Sequence, residues 1–469
     1  MPHAKYAGGV TDVQSRTDVV SALSEALGDV VSTDEAQLEA TRADKSGHIA
    51  HGRPLAIVHA TTIEHVQQTM RIASATRTPV VTRGAGTGLA GAANAGAGEI
   101  VLSTRRMTRI IEVLADDEIA VVEPGIINAD LNAALADTGL WWAPDPASRA
   151  ISTVGGNIAT NAGGLLCVKY GVTRDAVLGL KVVLADGRLI SLGHRTIKGV
   201  TGFDLTALMI GSEGLLGVIV EATLRLRRID HAAVSTIGAY FASVEQAARA
   251  AAVISSSGLR PAIMELLDRN AMIAIAAYRG LDVRDEAYLL VQTDGSGAAI
   301  EADAVLGIIR SLGGDAELCT SAEEGERLLA LRRSFHPAME ANGTVLIEDV
   351  CVPRSALPAM FSAIEAIATK YDIAIPTVAH AGDGNLHPNF VFQTDPTREG
   401  GVPERVWQAA DEMFLAAMRL GGTLSGEHGI GVLKRRWLKD ELGAEQFDLQ
   451  QQLKAVFDPL GILNPGKVY

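Results

Sequence analysis

The sequence predicts a chain of two or three domains that combine α-helices with β-sheets. At 469 residues the chain is too long for one ordinary hydrophobic core. Its 48 glycines and its aromatic content of 4% favour helices packed closely on sheets over a β-sandwich. A strand–helix–strand pattern over residues 55–82 agrees with that class.

The first half of the chain alternates strand-like and helix-like segments. Residues 1–50 are polar with helix spacing, and Ala22–Leu27 is one amphipathic piece. Thr62 is a candidate cap for the first crossover helix. The next predicted elements are a strand at Leu55–His59, a helix at Thr62–Ala73, strands at Thr78–Thr82 and Glu99–Ser103, a hairpin that turns at Asp186-Gly187, a helix at Phe203–Ile210 and a strand at Gly217–Arg227.

The character of the chain changes near Arg228, beyond which helix spacing is more frequent. We predict β-α-β units of a second domain there, followed by a helical tail. The predicted helices are Val244–Ser255, Ala298–Leu312, Leu328–Met339 with an interruption at Pro337, and Ala444–Phe457, which ends before Pro459.

Composition excludes several classes of partner and location. The net charge of −14 argues against nucleic acid or an anionic membrane, and it means that an anionic substrate needs a local positive pocket. The sequence contains no run of about 18 apolar residues, so no membrane span is predicted. Met1–Val20 lacks the apolar centre of a signal peptide. Cys167, Cys319 and Cys351 form no CxxC pair, as expected of small buried residues in a reducing, cytoplasmic compartment.

A glycine-rich loop follows the first crossover. Gly86, Gly88 and Gly91 match the G-x-G-x-x-G pattern of a dinucleotide-binding turn. However, no helix is predicted after the loop, and Thr104-Arg-Arg stands where a ribose-binding acid is expected. Bare backbone N–H groups of such a loop can still hold a pyrophosphate. The alternative is a glycine loop without a ligand.

A second glycine-rich region extends from Pro144 to Gly164. Its small residues permit close approach of a flat ligand. Its Ser, Thr and Asn side chains offer hydrogen bonds to a polar ring edge.

A third feature is His380-Ala-Gly-Asp-Gly-Asn-Leu-His387, a predicted hairpin with its turn at Asp383-Gly384. Pairing about that turn places His380 opposite His387, with Cβ atoms about 4.5–5.5 Å apart. Glu427 in Gly426-Glu-His-Gly429 is available as a third ligand. Two histidines and a glutamate with an open position suit a divalent metal that polarises a substrate oxygen. The alternative is a polar hairpin in which one histidine is structural.

Together these motifs resemble one family. They are Arg83-Gly-Ala-Gly-Thr-Gly, Ser152-Thr-Val-Gly-Gly-Asn, Asn161-Ala-Gly-Gly, Lys169-Tyr-Gly, Gly211-Ser-Glu-Gly, the His380–His387 hairpin, Gly426-Glu-His-Gly and Asn464-Pro-Gly-Lys. The chain resembles, over roughly residues 50–469, the FAD-linked D-2-hydroxy acid dehydrogenases of the vanillyl-alcohol-oxidase superfamily. These include D-lactate dehydrogenases, the glycolate oxidase FAD subunit and D-2-hydroxyglutarate dehydrogenase.

The resemblance implies an α+β fold with a vanillyl-alcohol-oxidase (PCMH-type) FAD-binding domain and a ferredoxin-like α+β cap. The expected divisions are residues 1–229 for FAD, 230–425 for the substrate cap and 426–469 for a segment that returns to the FAD domain. The pyrophosphate is expected at Arg83–Gly91, the flavin along Pro144–Gly164 and near Asn464, and the adenosine by Gly211–Ile219. The expected FAD-binding residues are Arg83, Gly84, Ala85, Gly86, Thr87, Gly88, Gly91, Pro144, Asp145, Ser152, Thr153, Gly155, Gly156, Asn157, Asn161, Gly163, Gly164, Gly214, Gly217, Ile219 and Asn464.

The resemblance also implies a Zn²⁺ or Mn²⁺ ion at His380, His387 and Glu427. His428 is the expected general base for the substrate hydroxyl. Arg332 is the candidate for the substrate carboxylate, because a guanidinium can hold it bidentately; taken alone, it could equally be a solvated helix charge. Asn389 is expected near the metal-bound substrate.

The hydroxyglutarate enzymes that this chain resembles carry extra Thr and Lys contacts for a second carboxylate. The corresponding segments here hold His336 and Ile347, and Thr344–Asp349 contains no lysine. This favours a monocarboxylate such as D-lactate or glycolate. A D-2-hydroxyglutarate dehydrogenase, a metal-independent flavin oxidase and a non-catalytic metal-binding or scaffolding protein remain alternatives. The electron acceptor is open among a quinone, a cytochrome, an electron-transfer flavoprotein and oxygen, and so is the oligomeric state, with a homodimer as one candidate.

Overall fold

The computed structural model describes residues 13–232, 234–282, 284–398 and 400–469. The expectations for residues 1–12 therefore lie outside the described residues. Within the described ranges, no helix combines the length and the apolar content needed to cross a bilayer.

The first half of the chain holds short helices and eleven named strands. The helices are α1 (Val13–Leu27), α2 (Glu35–Ala40), α3 (Ile63–Thr76), α4 (Asn128–Leu135), α5 (Val154–Thr160), α6 (Cys167–Tyr170) and α7 (Leu205–Met209). The strands are β1 (Val31–Ser32), β2 (Ala56–His59), β3 (Val80–Arg83), β4 (Ile100–Ser103), β5 (Ile110–Leu114), β6 (Ile119–Val122), β7 (Leu140–Trp141), β8 (Val177–Val183), β9 (Leu189–Gly193), β10 (Val218–Arg225) and β11 (Arg227–Arg228).

The second half is richer in long helices. These are α8 (Val244–Ser256), α9 (Arg269–Arg279), α10 (Ala298–Ser311), α11 (Ala322–Arg333), α12 (Phe335–Asn342), α13 (Leu357–Tyr371), α14 (Glu404–Arg419) and α15 (Arg435–Phe457). The strands are β12 (Ser235–Phe241), β13 (Ile263–Leu267), β14 (Ala287–Thr293), β15 (Asp315–Cys319), β16 (Thr344–Ile347), β17 (Val350–Cys351), β18 (Thr377–His380) and β19 (Asn385–Phe392).

Two sheets organise the first half. A four-stranded sheet has the order β1-β2-β4-β3, and a five-stranded antiparallel sheet has the order β5-β6-β10-β8-β9. Strands β2 and β3 both run parallel to β4, so the predicted β-α-β unit is present. Its crossover helix is capped by Thr62, whose side chain accepts the N–H of His65. As predicted, no helix follows the glycine-rich loop before β4.

The second half is built on one large antiparallel sheet. The strand order is β15-β12-β14-β13-β18-β19-β16, and β17 pairs with β19. One face packs on α8, α10, α13 and α14, and the opposite face packs on α9, α11 and α12. The predicted β-α-β connections are split, because β14 lies between β12 and β13. Because helices cover both faces, the inner strands β12, β14, β13, β18 and β19 are almost fully buried.

The tail returns to the first half of the chain. The N–H of Val80 donates to Ile462, and the N–H of Asn464 donates to the carbonyl of Val80. Helix α15 bends at Gly443, which has a φ of 73°. The tail helix predicted from Ala444 therefore begins just after this bend. The domain divisions at 229/230 and 425/426 stay predictions.

Two expectations of local structure were wrong. The predicted helix Leu328–Met339 breaks at Ser334, which separates α11 from α12, and not at Pro337. Pro337 lies in the first turn of α12, where a missing N–H costs no helical hydrogen bond. All three cysteines are free, but Cys167 and Cys351 are half-buried and only Cys319 is buried.

Candidate active site

Two histidines lie side by side on the face of the large sheet that packs on α9, α11 and α12, but their strands do not pair in the predicted register. His380 pairs with Asn385, and His387 pairs with Val378, so the two histidines are not directly opposed. The carbonyl of His380 accepts the N–H groups of both Asp383 and Gly384, which closes a four-residue loop instead of a two-residue turn. The histidines are still diagonal neighbours on one face, with ring centroids 4.9 Å apart.

Glu427 completes the predicted group of three ligands. Its Oε1 lies 3.2 Å from Nε2 of His387 and 3.6 Å from Nε2 of His380. One ligand atom from each of the three side chains falls within 4.8 Å of the others. His380 and Glu427 are 47 residues apart in the sequence and come together only through tertiary packing. All three side chains line the same cavity.

Charges around these ligands favour a cation between them. Burial alone raises the pKa of Glu427, but its hydrogen bonds with His380 and His387 hold that pKa well below its usual value. Burial alone lowers the pKa of His380, but the carboxylates of Glu265 and Glu427 raise it well above its usual value. The group thus stabilises positive charge, which a divalent metal ion can supply in place of a proton.

The turn that carries Glu427 and His428 is held by Asp349. Oδ2 of Asp349 accepts the backbone N–H groups of Gly426, Glu427 and His428 at 2.7, 2.8 and 3.3 Å. The buried Lys434 ammonium pairs with Oδ1 of the same carboxylate and donates to the Asp349 carbonyl at 2.8 Å. Burial would raise the pKa of Asp349, but Lys434 and His428 hold it well below its usual value. The carboxylate therefore stays charged and fixes the turn.

The imidazole of His428 is largely covered, with 8% of the side chain exposed, and it is neutral. Burial lowers its pKa to about 4, against the opposing effect of Asp349. Its Nδ1 lies 3.5 Å from Oδ1 of Asp349 and has no hydrogen bond within the described residues. A neutral imidazole next to a carboxylate is in the form that can accept a proton.

Arg332 lies at the end of α11 and is buried, with 8% of its surface exposed. This excludes the alternative of a solvated helix charge. Its Nε donates to Oε2 of Glu265 at 2.6 Å. Its side chain lines the same cavity as the two histidines, so a cation faces the candidate metal site.

Asn389 and His336 also reach this cavity. Asn389 donates through Nδ2 to the carbonyl of His387 at 2.9 Å, and its buried Oδ1 has no hydrogen bond within the described residues. Burial, assisted by the charge of Arg332, lowers the pKa of His336 to about 3. Asn389 thus offers a free acceptor, and His336 offers a neutral ring.

One cavity of about 910 Å³ joins these side chains to the glycine-rich loops. This size lies towards the upper end for ligand pockets. The predicted residues that line it are Gly84, Ala85, Gly86, Thr87, Gly88, Asp145, Thr153, Gly155, Gly156, Asn157, Gly163, Gly164, Gly214, Gly217, Ile219, Arg332, His380, His387, Asn389, Glu427 and His428.

The other predicted FAD-binding residues are not among those that line the cavity. They are Arg83, Gly91, Pro144, Ser152, Asn161 and Asn464. The Arg83 guanidinium donates to the carbonyls of Ala93 and Ala43, both at 2.7 Å, and so holds the loop that it was expected to share with a phosphate. Nδ2 of Asn464 donates to the carbonyls of Ala92 and Glu213. These two side chains support the lining residues.

Close packing explains why glycines line the wall. A Cβ on Gly84 would lie 2.4 Å from Oγ1 of Thr153, and a Cβ on Gly163 would lie 2.5 Å from Oε2 of Glu427. Both glycines therefore bring backbone against functional side chains. The glycine-rich regions touch each other and the candidate metal ligand Glu427, which their separation in sequence does not reveal.

Sequence reasoning missed Glu265, Asp349 and Glu213. Glu265 is fully buried within the apolar strand Ile263–Leu267, and a charged residue in such a strand was the available signal. Glu213 accepts the N–H groups of Ile430 and Gly431 at 2.8 and 2.9 Å and so ties the loop that begins at Gly211 to the C-terminal segment. Nothing in the local sequence separates Asp349 from an ordinary loop acid.

Comparison with known proteins identifies the family. Residues 230–468 match the family described as FAD linked oxidases, C-terminal domain, and residues 54–193 match the FAD binding domain. The chain belongs to the FAD-linked oxidases. This FAD-linked oxidase is 40% identical over 424 residues to glycolate oxidase subunit GlcD of Bacillus subtilis (strain 168), with 89% of each chain covered. It is 36% identical to a D-lactate dehydrogenase of Archaeoglobus fulgidus, with 88% of this chain and 90% of the relative covered.

Solved structures show the same architecture. p-Cresol methylhydroxylase with substrate bound superposes with a TM-score of 0.79 at 18% identity, and 98% of each chain is covered. 4-Ethylphenol oxidase from Gulosibacter chungangensis gives a TM-score of 0.76 at 16% identity, again over 98% of each chain. The predicted α+β fold with a PCMH-type FAD-binding domain is confirmed. The family is one of FAD-dependent oxidoreductases, so the FAD prediction is confirmed as well.

Proposed function

We propose that this FAD-linked oxidase oxidises a D-2-hydroxy acid of the D-lactate or glycolate type to the 2-oxo acid. The observation that carries the proposal is the placement of Arg332 and the His380–His387–Glu427 group on one cavity with the glycine-rich loops. A 2-hydroxy acid has a carboxylate and a neighbouring hydroxyl. The cavity offers a cation for the first and a metal site for the second.

We propose that His380, His387 and Glu427 hold a divalent zinc or manganese ion. Two imidazoles and one carboxylate, with a further position open, are a donor set that such ions accept. His380 is oriented by a carboxylate on its other ring nitrogen, which is typical of metal-binding histidines. When bound, the ion supplies Lewis acidity that lowers the pKa of the substrate hydroxyl.

Arg332 is proposed to bind the substrate carboxylate. Its Nε is occupied by Glu265, which keeps the guanidinium at the cavity wall with its remaining N–H donors available for a carboxylate. Asn389 offers its unpaired Oδ1 beside His387 as an acceptor for a substrate hydroxyl. These contacts fix the orientation of C2 within the cavity.

His428 is proposed as the general base. The neutral imidazole accepts the hydroxyl proton at Nε2, while Nδ1 faces the Asp349 carboxylate, which stabilises the imidazolium that forms. FAD held by the glycine-rich loops would supply the oxidant for the hydride that leaves C2, with flavin N5 as the acceptor atom. The acceptor that reoxidises it stays open.

The proposed substrate carries one carboxylate. Ile347 and the neutral His336 line the cavity beside Arg332, and no lysine lies in Thr344–Asp349. Arg333 also reaches the cavity, but it pairs with Glu326. The similarity to GlcD and to D-lactate dehydrogenase supports the same choice.

The proposed domains follow from the same assignment. Residues 1–229 would bind FAD, residues 230–425 would form the substrate cap, and residues 426–469 would return to the FAD domain while presenting Glu427 and His428. The match to an FAD binding domain over residues 54–193 supports this division.

An anaerobic substrate panel tests the proposal. The FAD- and metal-loaded protein is mixed with D-lactate, L-lactate, glycolate, D-2-hydroxyglutarate and a longer D-2-hydroxy acid, and flavin absorbance is followed. We expect D-lactate or glycolate to bleach the flavin fastest. Faster bleaching by D-2-hydroxyglutarate would overturn the monocarboxylate choice, and no bleaching by any of the acids would overturn the proposed function.

A further inference from the structure

Glu265 links the two halves of the candidate substrate site. Its Oε1 accepts a hydrogen bond from Nδ1 of His380 at 2.6 Å, and its Oε2 accepts one from Nε of Arg332 at 2.6 Å. The side chain is fully buried. One carboxylate therefore contacts both a proposed metal ligand and the proposed carboxylate anchor.

The sheet register explains this placement. Glu265 of β13 and His380 of β18 are directly paired, so their side chains point to the same face. Ile263 and Leu267, two residues either side of Glu265, pack in the core against α9, α11 and α12. Arg332 comes from the last turn of α11, which packs on that face. The carboxylate is thus the meeting point of two strands and one helix.

We propose that Glu265 is a positioning residue that sets the separation between the metal site and the carboxylate anchor, so that one 2-hydroxy acid can engage both. The inference rests on the proposed function. Each oxygen of Glu265 is committed to a different partner, so a shift of either partner is transmitted to the other. A carboxylate at Nδ1 also directs Nε2 of His380 towards Glu427.

The geometry makes a specific demand on the side chain. A glutamine has one acceptor oxygen and one NH₂ group, so Glu265→Gln can accept from His380 or from Arg332 but not from both. Whichever of His380 and Arg332 loses its acceptor then faces the NH₂ group of the glutamine, which is itself a donor, and must change its orientation. An aspartate keeps the charge but is one methylene shorter, so Glu265→Asp cannot span both partners.

Another buried glutamate of the chain provides a matched control. Glu123 is 3% exposed and accepts from Nε of Arg109 at 3.0 Å. Its carboxylate faces Arg109 and contacts neither the metal ligands nor Arg332. Glu123→Gln therefore removes a buried carboxylate that pairs with an arginine, in this case a largely exposed one, away from the proposed substrate.

The experiment measures two affinities and one rate. Protein loaded with FAD is stripped of metal by a chelator, and its affinity for Mn²⁺ is measured by equilibrium dialysis. The Mn²⁺-loaded protein is then titrated with oxalate, which carries no hydride to transfer, and binding is read from the flavin absorbance. Finally, the rate of anaerobic flavin reduction is measured with the best acid of the panel.

We expect Glu265→Gln to retain FAD and to weaken Mn²⁺ binding by roughly 10- to 100-fold. Oxalate binding and flavin reduction should fall by at least a similar factor, because the anchor and the metal site lose their alignment. Glu265→Asp should weaken at least one of the two affinities. Glu123→Gln should change neither the two affinities nor the rate.

Two results would overturn the inference. Unchanged Mn²⁺ and oxalate affinities in both Glu265 variants would show that the link is not used. Loss of FAD in both variants would show that Glu265 supports the fold and not the site. Failure of the proposed function is distinguishable, because in that case the unaltered protein itself binds no Mn²⁺ at this site or is not reduced by any acid of the panel.

Discussion

His387 and His428 are stacked, with ring centroids 5.2 Å apart and ring planes 27° from parallel. The first ring belongs to the candidate metal ligands, and the second is the candidate base. A cation held by His387 therefore lies close to His428 and disfavours its protonation, which adds to the effect of burial. The stack would therefore favour a neutral His428, which is the form that the proposed general base requires.

The three candidate metal ligands come from the large sheet and from the Gly426–Gly429 turn, whereas the loops expected to hold FAD belong to the first half of the chain, although Gly163 packs against Glu427. We therefore predict that Glu427→Gln retains FAD but loses Mn²⁺ affinity and turnover by more than roughly 100-fold, because the amide removes the only anionic ligand of the group. FAD content is read from the visible spectrum, and metal content by elemental analysis. Asp186→Asn, in an exposed hairpin, serves as the control. Simultaneous loss of FAD and metal would contradict the separation.

Asp349 supports the turn that carries Glu427 and His428. We predict that Asp349→Asn lowers the free energy of unfolding by about 3 kcal/mol, because the buried Lys434 ammonium loses its nearest carboxylate and keeps only Glu348, at 3.6 Å. Turnover should fall as well, since the three N–H groups of the turn lose a charged acceptor. Denaturant unfolding checks the first result. A change no larger than that of Asp186→Asn would show that the turn holds itself.

Gly84 is predicted to be needed for FAD binding. A Cβ at this position would press on Oγ1 of Thr153, the side chain that caps α5. We expect Gly84→Ala to weaken FAD binding by roughly 10- to 100-fold, measured by quenching of flavin fluorescence. Gly297→Ala is the matched control, because its Cβ would meet no atom within 4 Å. Equal FAD affinity in both variants would contradict the close packing of this loop.

The raised pKa of Glu213 leads us to predict that the free energy of unfolding depends on pH. Burial raises its pKa to about 7, despite the N–H groups of Ile430 and Gly431 and the charge of Lys434, while Asp44 adds to the rise and Tyr469 lies near. The folded state thus binds a proton more tightly than the unfolded state. The resulting stability is complete below about pH 4.5 and is lost as the pH rises through about 7.

Comparison with Glu213→Gln isolates this contribution, because glutamine does not titrate. The stability of the unaltered protein relative to the variant should fall between pH 5 and pH 8.5, by on the order of 3 kcal/mol. Thermal unfolding in excess FAD at several pH values measures it. A difference that is constant or that grows with pH would contradict the raised pKa.

The sequence was informative where local patterns decide the structure. The cap at Thr62, the hairpin at Asp186-Gly187 and the absence of a helix after the glycine-rich loop follow from residues close in the chain. The grouping of His380, His387 and Glu427 was also predicted, although from a hairpin register that was wrong. It survived because a diagonal pair on one sheet face is nearly as close as an opposed pair.

Contacts between distant segments could not be predicted in this way. Glu265 meets Arg332 and His380 only because β13 pairs with β18 and α11 packs on the same face. Asp349 and Lys434 meet across 85 residues. The resemblance placed Arg83 in the pyrophosphate loop, but it did not reveal that the guanidinium donates to the carbonyls of Ala93 and Ala43. Such partners are set by tertiary packing, which a single sequence does not display.

Flavin reduction with and without the metal tests the central claim most directly. The FAD-loaded protein is stripped by a chelator, mixed anaerobically with D-lactate or glycolate, and then supplied with Zn²⁺ or Mn²⁺. We predict that the stripped protein keeps its yellow colour and is reduced at least roughly 100-fold more slowly, and that added metal restores bleaching. Bleaching at full rate by the stripped protein would contradict a metal-assisted oxidation at His380, His387 and Glu427.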